Sequence, residues 1–354
     1  MNMKNTKNIL FVAALGIFFM AGILGTSCSK WTQPEAQDYY TPPTEAYKQN
    51  LKDYFKSPHK VIFGWFGNWA GEGGSMANSL MGLPDSVDFV SLWLVNFPLN
   101  EAQQNDLKAF QERGSKAVLC WRAGSIGAYI TPAGEDPDTF WGVPKEPWKD
   151  SDEPALIAAA EKYAMAIADS CRKYKTNGFD YDIEDSGSLV NTLYPSVLNA
   201  FMKKLREEFD KEGMMLIADI PAISASWMYI YRMLEPEVLQ SLDYLIWQAY
   251  NASGMDSFLE SYVQPAHPEI YEEMVGKSII TADFEEASRK HYYLEQANWT
   301  PRSGLEHAGY GVYHIEYDYP DASAEEVEKY GLTAGVDYPW VRKAIKTVNP
   351  QINK

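Results

Sequence analysis

From His59 onward the chain alternates short apolar runs with segments of helical period. The apolar runs are Val61 to Trp69, Val87 to Phe97, Ala117 to Trp121, Gly178 to Glu184, Met215 to Ile220, Tyr244 to Asn251, Ser278 to Phe284 and Gly309 to Tyr317. Runs this short, apolar on both faces, predict strands buried between two layers. The segment Glu153 to Lys175 places Leu156, Ile157, Ala160, Ala164, Ile167, Ala168 and Cys171 on one helical stripe and has Pro154 at its opening turn. Tyr194 to Lys211 repeats the pattern with Val197, Leu198, Phe201, Leu205 and Phe209, and Tyr338 to Val348 predicts a closing helix. Eight strand–helix units over residues 59–350 have the length and rhythm of a (β/α)8 TIM barrel. The alternative is a doubly wound open sheet. The first run is not followed by the Gly-rich phosphate loop of that architecture.

The fourth run differs from the others. It reads T-N-G-F-D-Y-D-I-E-D over Thr176 to Asp185, with Asp180, Asp182 and Glu184 at alternating positions. Side chains of a strand alternate faces, so these three acids share one face. At ~3.3 Å rise per residue, neighbouring acids are spaced by roughly 6–7 Å. Like charges so arranged repel unless water, a ligand or shared protons relieve them. A solvated polar strand face is one reading and an oxygen-only metal site another. Such metal sites usually draw their ligands from loops. The reading favoured here is a catalytic row, in which burial and like charge raise one carboxyl so that it serves as an acid. Barrel enzymes react at the carboxyl ends of their strands, which places Glu184 at the mouth and Asp180 deeper.

This stretch resembles the signature of family 18 glycoside hydrolases, D-G-x-D-x-D-x-E. Gly178, Asp180, Asp182 and Glu184 match it, while Asn177 stands where the family usually has Asp. Asn177 lies at the strand's leading end, away from the mouth. The sixth run ends W-Q-A-Y-N, and it resembles the family's sixth-strand Q-x-Y-N pattern. There the resemblance assigns Tyr250 to the substrate's N-acetyl group, with Gln248 and Asn251 beside it. Trp65, Trp93 and Trp121 near the ends of the first three strands, and Trp227 after the fifth, are candidates for stacking on sugar rings; large aromatics fill barrel cores equally well. The long third loop, Ser125 to Asp152, is expected to wall the groove.

The resemblance implies substrate-assisted retaining hydrolysis of β-1,4 linkages next to N-acetylglucosamine, an exception to the usual two-carboxylate scheme. Glu184 would be the general acid and Asp182 would hold the acetamide. Asp180 would share a proton with Asp182, and neither cofactor nor metal is implied. Only Glu285 to Ala308 separates the seventh and eighth runs. Many family 18 chitinases carry a larger α+β insertion there, so a single domain with an open mouth is expected. That favours a bulky substrate such as the N-glycan chitobiose core, and hence an endo-β-N-acetylglucosaminidase. The alternatives are a chitinase and a glycan-binding barrel without turnover; relatives of that last kind commonly lack the terminal Glu, which is present here.

The first residues change the picture of where the protein works. Lys4 and Lys7 precede an apolar run from Ile9 to Leu24, and G-T-S-C follows. Residues 1–27 read as a lipoprotein signal peptide with Cys28 as the lipidated residue; an ordinary secretory peptide is the alternative. Residues 28–58, with Pro34, Pro42 and Pro43, read as a tether or irregular segment ahead of the barrel at 59–350. The expected location is the bacterial outer membrane, on its periplasmic or external side. Removing the leader takes away two lysines and no acids, so the net charge goes from -17 to -19. A chain this acidic is a poor partner for nucleic acid. The expected partners are a glycan or glycoprotein containing N-acetylglucosamine and, through the lipid, a membrane; a monomer is expected. Cys120 and Cys171 fall in an apolar strand and on a helix's apolar stripe, which predicts buried thiols.

Overall fold

A computed structural model describes residues 43–222 and 228–350 of the chain. Cys28 and Trp227 lie outside the described residues. All elements below belong to one compact unit, Glu45 to Lys354.

Eight parallel strands close into a barrel in chain order. They are β1 Val61–Phe66, β2 Phe89–Trp93, β3 Lys116–Arg122, β4 Gly178–Asp182, β5 Met215–Pro221, β6 Tyr244–Gln248, β7 Ser278–Asp283 and β8 Gly309–Tyr313. Each coincides with a predicted apolar run. Closure is made by β1 against β8, with Val61 opposite Gly309 and Gly64 opposite Val312. Alternation along each strand sorts its side chains into two cores. Phe63, Trp65, Phe89, Val118, Cys120, Ile217, Ile246 and Ile279 fill the barrel. Their neighbours Phe66, Leu119, Trp121, Phe179, Tyr181, Leu216 and Trp247 face the surrounding helices.

The predicted helices form at Glu153–Tyr174, Pro195–Asp210 and Pro339–Val348. Each carries a proline in its first turn, where a missing N–H costs nothing. The segment expected to be irregular before the barrel differs: Glu45–Lys56 is a helix. Its Leu51 is buried, and its Tyr54 ring lies 4.4 Å from the His59 ring while its hydroxyl accepts from the Asn349 amide at 3.2 Å. Between β7 and β8 only a short turn and the helix His291–Ala297 intervene, so there is no inserted α+β domain.

The motif glycine is fixed by sterics. Gly178 has φ of 144°, and a Cβ there would lie 2.0 Å from the Met215 carbonyl oxygen across the β4–β5 ladder. Gly178→Ala is expected to cost about 3 kcal/mol or more, from strain plus overpacking. Urea unfolding checks this, and a loss under about 1 kcal/mol would show that the two strands separate freely. Asn177, the motif's departure, binds structure and not the mouth. Its side-chain oxygen accepts from the Ala117 N–H and the Gln111 amide, each at 2.9 Å. It thus ties β3 and the helix Glu101–Glu112 to the start of β4.

Candidate active site

At the carboxyl ends of the strands lies a cavity of about 200 Å³, lined by Trp65, Trp93, Arg122, Asp182, Glu184, Gln248, Tyr250 and Tyr313. Six of the predicted residues meet here: Asp182, Glu184, Gln248, Tyr250, Trp65 and Trp93. Ile183 is buried on the opposite face and continues the β4–β5 ladder through its N–H to Asp219. That keeps Asp182 and Glu184 on one side of the chain. Glu184 is the more open, its side chain 25 % exposed. The Arg122 Nη1 lies 3.3 Å from it, and the Arg122 Nε lies 3.4 Å from Asp185.

The walls are aromatic. Tyr250 stacks on Tyr313 at 5.7 Å, and Trp65 meets both edge-on at 6.4 and 6.1 Å. Trp93 stands edge-on to Tyr313 at 6.0 Å. The Tyr250 hydroxyl makes no hydrogen bond among the described residues and is pushed well up by burial and by the charges of Asp219, Asp182 and Glu184. It therefore stays protonated and free to donate.

Beneath the cavity sits a cluster of carboxyls. Asp180 is fully buried and accepts from the Ser91 hydroxyl at 2.6 Å. Asp219 on β5 lies opposite Asp182 in the ladder and is also fully buried. The Gln248 amide donates to both, to Asp219 and, at 3.3 Å, to Asp182. Among the described residues, one oxygen each of Asp180 and Asp219 is buried with no nitrogen or oxygen partner within normal hydrogen-bond geometry. Cys120 Sγ and oxygens of Asp180 and Asp219 lie within 4.8 Å of one another. Burial and these acids push the Cys120 thiol well up, so it remains a protonated donor rather than a thiolate. Burial, then the charges of Glu184 and Asp180, raises Asp182 well above the usual carboxylate range. Burial, then Asp182 and Asp180, does the same to Asp219. Three carboxyls in one dry cluster cannot all ionise, so they hold protons in common.

This has a measurable consequence. Burial lifts Asp180 to about 6, against hydrogen bonds from Ser91 and Cys120 that lower it. A group raised on folding stabilises the fold fully below its unfolded value, and that contribution is lost as pH rises through its folded value. Here the window runs from about pH 4 to about pH 6. Asparagine carries no such dependence. The melting temperature of Asp180→Asn, relative to the natural protein, should therefore climb between about pH 4 and about pH 6. A difference independent of pH would show that Asp180 holds no excess proton.

Three expectations fall elsewhere. Trp121 does not reach the mouth: it is 2 % exposed and donates to the Tyr163 hydroxyl at 3.0 Å, packed between β3 and the helix Glu153–Tyr174. Strand parity explains this, since Val118, Cys120 and Arg122 take the inward positions. Asn251 is exposed and does not line the cavity. The loop Ser125–Asp152 contributes Glu146 and Trp148 to a separate hollow beside Ser186 and Tyr229, and buries Trp141. Arg122, Asp219, Ser91 and Tyr313 are site residues that the motifs did not single out. Their signal was present: each is a polar side chain at an inward position of a strand.

A closed parallel barrel whose fourth strand points a carboxylate row into an aromatic-walled mouth is the architecture of a glycoside hydrolase. The chain belongs to glycoside hydrolase family 18, whose BT1044-like model matches residues 32–259. A solved structure of BT1044, in a selenomethionine Glu-to-Gln form, is 32% identical over 88% of this chain and 94% of that one, with a TM-score of 0.70. The endo-β-N-acetylglucosaminidase from Cordyceps militaris is 20% identical over 88% of this chain and 98% of its own, with a TM-score of 0.61. A variant of that enzyme, with an Asp and a Glu two positions apart changed to Asn and Gln, was solved with fucosyl-N-acetylglucosamine-Asn. A chitinase from Bacteroides thetaiotaomicron is 13% identical over 84% of this chain, with a TM-score of 0.50. These last likenesses are of fold. No curated protein sequence is similar to the chain.

Proposed function

We propose that this protein is an endo-β-N-acetylglucosaminidase that cuts the β-1,4 linkage between the two core N-acetylglucosamines of N-glycans. The observation that carries the reading is the convergence of Asp182, Glu184 and Tyr250 on one aromatic-walled cavity. Glu184, open to the mouth, protonates the glycosidic oxygen. The substrate's acetamide oxygen attacks the anomeric carbon from the opposite face, giving an oxazolinium-type intermediate. Asp182 accepts from the acetamide N–H and balances the charge that develops on it. Tyr250 donates to the acetamide oxygen. Gln248 and the Asp180–Asp219 cluster fix the orientation and protonation of Asp182. Glu184, now a carboxylate, draws a proton from the incoming water as that water opens the intermediate with net retention.

The short β7–β8 connection supports a branched substrate, because nothing there walls a linear cleft. The fucosyl-N-acetylglucosamine-Asn solved with the Cordyceps militaris enzyme is consistent with that choice. The leader and Cys28 support a lipid-anchored protein of the outer membrane. Incubation with released N-glycans and with chitin oligomers tests the reading. Cleavage within the N-glycan core is expected. Release of chitobiose from chitin would make the protein a chitinase, and binding without cleavage a glycan receptor.

A further inference from the structure

Of the residues lining the catalytic cavity, Arg122 alone is a cation. It stands on β3 directly opposite Asp182 of β4. Its guanidinium joins two carboxylates. Nη1 donates to Glu184 Oε2 at 3.3 Å, and Nε lies 3.4 Å from Asp185 Oδ2. Both nitrogens belong to one rigid planar fork, so each contact constrains the other. The side chains of Arg122 and Asp185 are 44 % and 49 % exposed. An ion pair so open adds little to stability, so stability alone does not account for the arrangement.

The two ends of this bridge are held unequally. Asp185 is seated in a stiff frame. Gly124, just beyond β3, lies so close that a Cβ there would come within 2.7 Å of the Asp185 Cβ. The Gly124 carbonyl accepts from the Leu189 and Val190 N–H groups at 3.0 and 3.1 Å. The Ile126 N–H donates to the Ser188 hydroxyl at 3.0 Å, and the Tyr181 hydroxyl donates to the Ala123 carbonyl at 2.6 Å. The chain after β3 and the chain after β4 are therefore pinned together around Asp185. The Glu184 carboxylate has only Arg122 as a hydrogen-bond partner among the described residues. Without it, a partly exposed glutamate turns freely about several torsions.

We propose that Arg122 and Asp185 are a positioning pair for proton transfer by Glu184: Asp185 anchors the guanidinium, and the guanidinium aims the acid. The inference rests on the reading of Glu184 as the general acid. The fork holds Oε2 and leaves Oε1 to carry the proton. That proton passes to the glycosidic oxygen as the bond from C1 to that oxygen breaks. The electron pair of the broken O–H bond stays on the Glu184 carboxyl, beside a cation already in place. Both residues of the pair act through Glu184.

The test compares two substrates that carry the same glycan. One is an N-glycopeptide, whose leaving oxygen belongs to a sugar and needs a proton. In the other the glycan is joined to 4-nitrophenol, which leaves as its anion without one. The quantity read is kcat/KM, because it ends at departure of the leaving group and excludes the later attack of water. On the glycopeptide, Arg122→Met is expected to lower kcat/KM by about 10- to 100-fold, up to the cost of misplacing a reacting group by about 1 Å. On the nitrophenyl substrate the same variant should stay within about threefold of the natural protein, because no acid is needed. Arg122→Lys supplies a charge without the fork and should recover little on the glycopeptide. Asp185→Asn should show a smaller loss with the same contrast between substrates, and serves if Arg122→Met fails to fold. Added to Arg122→Met it should cost nothing more, since both changes break one contact. Losses equal on the two substrates, additive losses in the double variant, or full activity in Arg122→Lys would overturn the positioning pair. A natural protein that cleaves neither substrate, or a Glu184→Gln loss equal on both, would instead overturn the reading of Glu184.

Discussion

Glu184→Gln is expected to cut turnover of an N-glycan substrate by about 10²- to 10⁴-fold, the usual worth of a positioned acid. The substitution keeps shape and size and removes only the proton that can be given to the leaving oxygen. Glu184 stands at the open end of the row, with its side chain a quarter exposed, so an amide there leaves no buried charge unpaired. Arg122 retains an oxygen to donate to, and it keeps Asp185 as a second partner. Glycan affinity and melting temperature should therefore stay close to those of the natural protein. Because the lost interaction belongs to the transition state, kcat should fall and KM should move little. Turnover within a few-fold of normal would remove Glu184 from the role of acid.

The second large effect is expected at Asp182. Asp182→Asn should lower kcat by about 10²- to 10³-fold, the size seen when one charge-stabilising group is lost at a developing charge. An amide cannot balance the positive charge on the oxazolinium-type intermediate. It also disturbs the group below, because the Gln248 amide donates to Asp182 and Asp219 together. The fold should tolerate the change well, since Asp182 is buried and held toward its protonated form by burial and by Glu184 and Asp180. Loss of activity with full stability separates a chemical role from a structural one. An Asp182→Asn protein as active as the natural one would contradict the acetamide route even if Glu184 proved essential.

The barrel was legible because its strands are buried on both faces and so write themselves as unbroken apolar runs. The acids of β4 stood out against that background, and the period of two put them on one face. The same period, applied to the other strands, places Arg122, Asp219, Ser91 and Tyr313 inside. On β3 the eye goes to Trp121, a large aromatic at a strand end, yet Cys120 and Arg122 own the inward positions and Trp121 fills the layer beneath the helices. Asp219 and Ser91 escaped notice because each is a single polar residue in an apolar strand, and only the ring closure of the sheet brings them to Asp180 and Asp182. The helix Glu45–Lys56 was hidden by flanking prolines, which read as irregular chain although they bound the helix rather than interrupt it. The left-handed backbone at Leu94 carries no signature in residue type, so that turn is visible only in three dimensions.

All of this depends on a sugar's amide meeting Asp182 while its glycosidic oxygen meets Glu184. Mass spectrometry of an N-glycosylated protein, before and after treatment, reports that event most directly. The account predicts that the treated protein keeps a single N-acetylglucosamine on each asparagine, and that neither Glu184→Gln nor Asp182→Asn produces this change. A glycoprotein left intact by the natural protein, or trimmed equally by both variants, would contradict it.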